Sequence, residues 1–219
     1  MTDRVRRVLE ALAAAYPNAV TELHFDTPFQ LLVATMLSAQ CTDRRVNMIT
    51  PRLFARYPDA HSMARAEVAA LEELIRDCGL FHTKAKNLKR TAELLVERHA
   101  GEVPADLDQL MALPGVGRKT ANVVIANAFG QDAIAVDTHV FRVSHRLGWA
   151  DAKDADGTER QLRDLLPRSV WSQAHHWLIW HGRRVCTARK PHCEICLLFS
   201  ECPRIGVNAE TPVGEVQSG

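Results

Sequence analysis

Four cysteines fall within 17 residues near the C-terminal end, spaced Cys186-x6-Cys193-x2-Cys196-x5-Cys202. A chain of 219 residues buries a core without disulfide staples, so thiols packed this densely point to ligation of a metal. Structural zinc usually takes two separated Cys pairs. Here one C-x2-C is flanked by two lone cysteines, a spacing closer to a compact four-cysteine iron–sulfur site. On spacing alone both metals stay open. Arg189 and Lys190 lie between the first two cysteines, on a loop that a metal would stiffen, a sensible place for phosphate contacts; a solvated loop is the alternative.

A second constellation is Leu113-Pro114-Gly115-Val116-Gly117-Arg118-Lys119-Thr120-Ala121. Gly115 and Gly117 flank Val116, which lets the backbone take positive φ and aim N–H groups outward beside a helix N-terminus, where a phosphate oxygen fits. Contact through amides holds nucleic acid without reading its sequence. A plain helix–helix turn is the competing reading. Lys119 falls in the first turn of the following helix. The helix dipole and partial burial both favour a neutral amine, so nucleophilic use stands beside a simple phosphate contact. Asp137, in Ala135-Val136-Asp137-Thr138-His139, ends an apolar run and starts a helix, where capping is the common role. Paired with Lys119 it completes a minimal set for amine attack at a sugar carbon: a nucleophile, and a carboxylate to steady an oxocarbenium-like transition state.

These residues need helices to hold them. Apolar residues recur at helical spacing almost throughout and no segment sustains a two-residue alternation, so the chain reads as all-α, with about ten or more short helices. Thr27-Pro28 opens a helix from Phe29 to Ala39, and Thr42-Asp43 caps the next. The hairpin joins a helix of about 107–112 to one of about 118–129. Gly79, Gly101, Gly130, Gly148 and Gly182 read as helix stops. The polar tail from Asn208 to Gly219 has little to bury.

Hydrophobic residues make up 47% and charged residues 24%, with a net charge of +1, so any nucleic-acid binding must come from local patches rather than a bulk cationic chain. No apolar run approaches the roughly 18 residues of a membrane span, and the N-terminus has no signal-peptide pattern. The expectation is a cytoplasmic, nucleoid-associated prokaryotic protein, working as a monomer. Lys84, Lys86, Lys89 and Arg90 form a basic stretch that suits either a DNA backbone or solvent. Trp171, Trp177 and Trp180 read as core, His175, His176 and His181 take no role, and Cys41 and Cys78 read as small buried hydrophobes.

Together, in this order, Leu-Pro-Gly-Val-Gly-x-Lys-Thr-Ala, Val-Asp-Thr-His and the four-cysteine loop resemble the endonuclease III branch of the helix-hairpin-helix glycosylases, over roughly Asp26 to Cys202. The resemblance implies a [4Fe–4S] cluster held by Cys186, Cys193, Cys196 and Cys202, with Lys119 and Asp137 catalytic. It implies two helical lobes, a six-helix region of residues 22–130 and a cluster lobe of 1–21 plus 131–219, with double-stranded DNA across the cleft between them. Gln40 would fill the space left by an extruded nucleotide and Leu80 would wedge into the stack. The implied activity is removal of oxidised pyrimidines followed by β-elimination 3′ to the abasic site. A relative acting mainly on abasic sites keeps every motif, whereas against a non-catalytic cluster-bearing DNA-binding protein the Lys119 and Asp137 pair favours the enzyme. An adenine mismatch glycosylase of this fold is disfavoured by Lys119.

Overall fold

The computed structural model describes residues 1–207; the tail from Asn208 to Gly219 lies outside the described residues. Within them the chain is all-helical, as expected, with eleven α-helices and two single 3₁₀ turns, and no strand.

The helix starts follow from their caps. The Thr27 hydroxyl accepts from Gln30 N at 3.2 Å, and Pro28 opens α2 (Pro28–Leu37). Thr42 likewise caps α3 (Asp43–Arg56), and Asp106 caps the short α7 (Leu107–Met111). Helix α1 (Asp3–Ala15) precedes them, and α4 (Ala60–Ala64), α5 (Val68–Ile75) and the long α6 (Phe81–His99) lie between α3 and α7. Then come α8 (Arg118–Phe129), α9 (Thr138–Arg146), α10 (Ala155–Leu165) and α11 (Trp171–Arg184).

Burial divides these helices between two cores. The first runs from Leu23 to Ala133 and is centred on α2, whose Leu31, Leu32 and Leu37 are wholly buried against α8 and α6. The second joins Val5, Val8 and Leu12 of α1 to residues from Ile134 onward, including Val140, Leu162 and Leu178. The buried stretch Ala133 to Val136 crosses from one core to the other. Among the described residues no helix is long and apolar enough to cross a membrane.

Two of the five expected helix stops fall elsewhere: Gly79 lies in the loop between α5 and α6 without a positive φ, and Gly182 departs further. Gly130 and Gly148 do end helices with positive φ, but Gly182 sits inside α11. A Cβ there would come within 3.0 Å of His139 Cβ and 3.1 Å of Val143 Cγ2, so the missing side chain lets α9 and α11 approach closely. Arg142 Nη2 donates to the Gly182 carbonyl oxygen at 2.9 Å across that contact. Gly182→Ala should therefore lower stability by about 1–3 kcal/mol in urea unfolding.

The buried histidines make stability depend on pH. Burial holds His175 well below the usual imidazole value and brings His176 down to about 4. Both stay neutral in the fold, and His176 Nε2 bonds Asn127 Oδ1 at 3.0 Å. The unfolded chain takes up protons below about 6.5 while the folded chain does not. Stability is thus fully present above that value and falls as pH drops towards 4. The urea midpoint should decline steadily across this window; a flat profile would contradict the assignment.

Candidate active site at the seam of the two cores

Where the cores meet, a pocket is lined by Lys119 and Val123 of α8, Ser38 beyond α2, Asp43 of α3, Asp137, and His176 and Arg183 of α11. Lys119 and Asp137, 18 residues apart in sequence, thus face one space. Asp137 is half-buried, and its Oδ1 accepts from both His139 N and Val140 N at 2.8 Å, capping α9. Capping uses one carboxylate oxygen and fixes the group at the pocket wall. Lys119 is exposed at the rim. The partial burial suggested by the sequence is absent, so water leaves this amine only when something binds over the pocket.

Several partners that the sequence does not disclose hold the seam. Arg118, next to Lys119, makes a two-point ion pair with Glu159 of α10, Nε to Oε2 at 2.7 Å and Nη2 to Oε1 at 2.8 Å. Asn122, one turn on, donates to the same carboxylate at 2.9 Å and to Ile134 O at 3.0 Å. Across the pocket Arg183 reaches Glu22 at 2.6 Å and Asp43 at 2.8 Å. These pairs appear only once the helices are placed, because their members are 41, 161 and 140 residues apart.

The hairpin faces outward beside this pocket. Gly115 has φ +75°, and a Cβ on it would strike Asn87 Nδ2 at 2.7 Å. At Gly117 an added Cβ would meet nothing within 4 Å, which leaves open space for an approaching group. No side chain caps α8, and the amides of Gly117, Arg118, Lys119 and Thr120 make no hydrogen bond among the described residues. Four free N–H groups at a positive helix end attract an anion. Val116 differs from its neighbours: its side chain is buried and its N–H donates to Leu113 O at 3.1 Å, so it anchors the hairpin.

Gln40 and Leu80 lie on abutting loops and both are exposed, Leu80 to 60%. Each holds a left-handed backbone, with φ +55° and +59°, uncommon for residues with a side chain. The loops touch where a Cβ on Gly79 would lie 3.5 Å from Gln40 O. Beneath them Cys78 is buried against Cys41, and burial followed by that neighbouring thiol pushes it up to about 12, consistent with an inert, protonated thiol. The nearby basic stretch is mostly structural. Lys84 is buried and donates to Leu37 O at 2.8 Å, Lys89 donates to Ala66 O, and Arg90 pairs with Glu93. Trp180, expected in the core, lines the pocket instead, with the Arg184 guanidinium 4.0 Å above its ring.

The four loop cysteines surround one apolar cavity with Val143, Leu147 and Leu198. Among the described residues no three His, Cys, Asp or Glu side chains converge to hold a single ion. Four thiols lining one apolar space fit the compact iron–sulfur site that the loop's spacing suggests. Burial pushes the Cys196 and Cys202 thiols up, so they release protons when they ligate. Helix α9 braces the loop: Arg146 donates to Cys186 Sγ at 3.3 Å and to Thr187 O at 2.7 Å, and Arg142 to Cys186 O at 3.0 Å. Arg189 and Lys190 stay exposed at its tip.

Residues 33–168 match the family model of the HhH-GPD superfamily base excision DNA repair proteins. The chain belongs to this family. Residues 186–203, which contain all four cysteines, match the iron–sulfur binding domain of endonuclease III. The chain is 50% identical to endonuclease III of Synechocystis over 202 residues, 92% of each protein. It is 45% identical to that of Escherichia coli K12 over 195 residues, 89% of this chain and 92% of the relative. A trapped covalent endonuclease III–DNA intermediate superposes with a TM-score of 0.88 at 45% identity, covering 93% of this chain and 97% of that one. A thermostable thymine-DNA glycosylase, at 22% identity and TM-score 0.84, shares the fold. The chain carries a [4Fe–4S] cluster, which the spacing alone had left open against zinc. Purified protein should contain about four iron and four acid-labile sulfide per chain and no stoichiometric zinc, by metal and sulfide assay.

Proposed function

We propose that the protein removes oxidised pyrimidines from double-stranded DNA and cleaves the resulting abasic site, with Lys119 as nucleophile and Asp137 as its carboxylate partner. The observation that carries this reading is their joint presence in the seam pocket, beside a helix end with free amides. The hairpin amides hold a phosphate, Arg189 and Lys190 add charge, and Gln40 and Leu80 occupy the stack vacated by an extruded nucleotide. With the nucleotide covering the rim, the neutral Lys119 amine attacks C1′ and the C1′–N bond breaks. The base leaves with a proton, while Asp137 steadies positive charge on the sugar. The sugar ring opens to a Schiff base on Nζ. Loss of a C2′ proton then expels the 3′ phosphate, and water releases the lysine. The same reading makes Cys186, Cys193, Cys196 and Cys202 the cluster ligands. The cluster supplies a rigid fold for the basic loop, and no bond-breaking step uses it. It also takes the two cores as two lobes, residues 22–130 and residues 1–21 with the chain from 131, and places the protein on the nucleoid.

Borohydride trapping on duplexes bearing one thymine glycol or one abasic site tests the assignment. Both substrates should give a covalent complex that Lys119→Ala abolishes. Trapping with the abasic site alone would reduce the activity to a lyase, and none with either would leave a DNA-binding protein. Asp137→Asn keeps an oxygen for the α9 cap, so stability should change by no more than about 1 kcal/mol. Single-turnover base excision should nevertheless fall about 100-fold or more. Equal losses of fold and rate would reduce Asp137 to a cap.

A further inference from the structure

Helix α3 carries Arg44, Arg45, Arg52 and Arg56, all exposed. At about 100° per residue the four fall within an arc of roughly 120°, with exposed Met48 among them; the buried Ile49, Leu53 and Val46 follow on one side of that arc. Several other surface arginines are paired, as Arg7 is with Glu201 and Arg168 with Asp132. Among the described residues none of these four makes an ion pair or side-chain hydrogen bond; Arg56 only lies over the Tyr57 ring. The sole carboxylate of α3, Asp43, points to the other side, where Arg183 already binds it. In a chain with net charge of only +1, this face is a local concentration of uncompensated positive charge.

Its position matters as much as its charge. The helix begins three residues after Gln40, and Asp43 at its first position lines the seam pocket. From there the arginines extend over about 18 Å, at 1.5 Å per residue. One DNA strand advances about 3.4 Å per nucleotide, so this length matches about five phosphate steps.

We propose that this face of α3 is a further binding surface for the DNA backbone, gripping duplex to one side of the lesion, outside the hairpin and the cluster loop. It rests on the reading of the seam pocket as the lesion site. The contacts are to phosphates, so they strengthen binding without regard to sequence and extend the footprint on one flank.

The test is the salt dependence of affinity for a long duplex carrying a reduced abasic site, with the holoprotein. Each phosphate contact contributes about 0.9 to the slope of log affinity against log salt. The variant Arg44→Gln/Arg45→Gln/Arg52→Gln/Arg56→Gln should have a slope shallower by about 2–4, while four Arg→Lys replacements keep it. On a duplex truncated at the lesion on the gripped flank, wild type and the Gln variant should bind alike. Circular dichroism and iron content establish that both variants are folded. An unchanged slope in the Gln variant, with wild type binding lesion DNA normally, would overturn this proposal alone. Failure of wild type to prefer lesion DNA would overturn the pocket reading and this proposal with it.

Discussion

The ion pair between Arg118 and Glu159 holds together what the proposed chemistry requires. Lys119 belongs to a helix packed in the first core, while Asp137 starts a helix of the second. Two packed bodies joined only by a chain crossover could shift enough to separate them, and displacement by an ångström is costly in catalysis. Glu159 is only 3% exposed and takes two hydrogen bonds from Arg118 and one from Asn122. Removing Arg118 would leave that buried carboxylate only a 3.5 Å contact from Arg163 and the Asn122 amide, so the pair favours one arrangement of the two cores even where it adds little net stability. Its arginine is the residue immediately before Lys119, which brings the constraint to the nucleophile with almost no lever arm.

Helix ends then do most of the chemical positioning. At α9 the carboxylate that satisfies the first amides is also the one that faces the pocket, so capping and charge placement are one arrangement. At α8 the opposite holds. The helix end is left uncapped and costs stability in isolation, but the unmet amides are what a phosphate would satisfy. Helix α9 also extends to the cluster loop through Arg142 and Arg146, so a rigid loop and a fixed Asp137 share one helix.

Local chemistry was legible in the sequence where one short segment carries it. The Gly115-Val116-Gly117 hairpin, the Thr27 and Thr42 caps and the α8 limits were readable because propensity and spacing act over a few residues. Gly182 was misread for the same reason: its small size answers to α9, 40 residues away, and not to its own helix end. Arg118–Glu159 and the Arg183 network had no local signature at all. Partial burial is the expectation for Lys119, yet it lies exposed at the rim. The choice between zinc and a cluster likewise needed the match of residues 186–203 to the iron–sulfur domain, since spacing in the chain only suggests it.

Which amine joins the sugar decides whether the seam pocket supplies the nucleophile. Digesting the borohydride-trapped complex and locating the deoxyribose adduct by mass spectrometry tests that directly, without any substitution that could disturb the fold. The adduct is predicted on the peptide containing Lys119, at its Nζ. An adduct on the N-terminal amine of Met1 or on another lysine would contradict the account, because the seam pocket would then hold DNA without supplying the nucleophile.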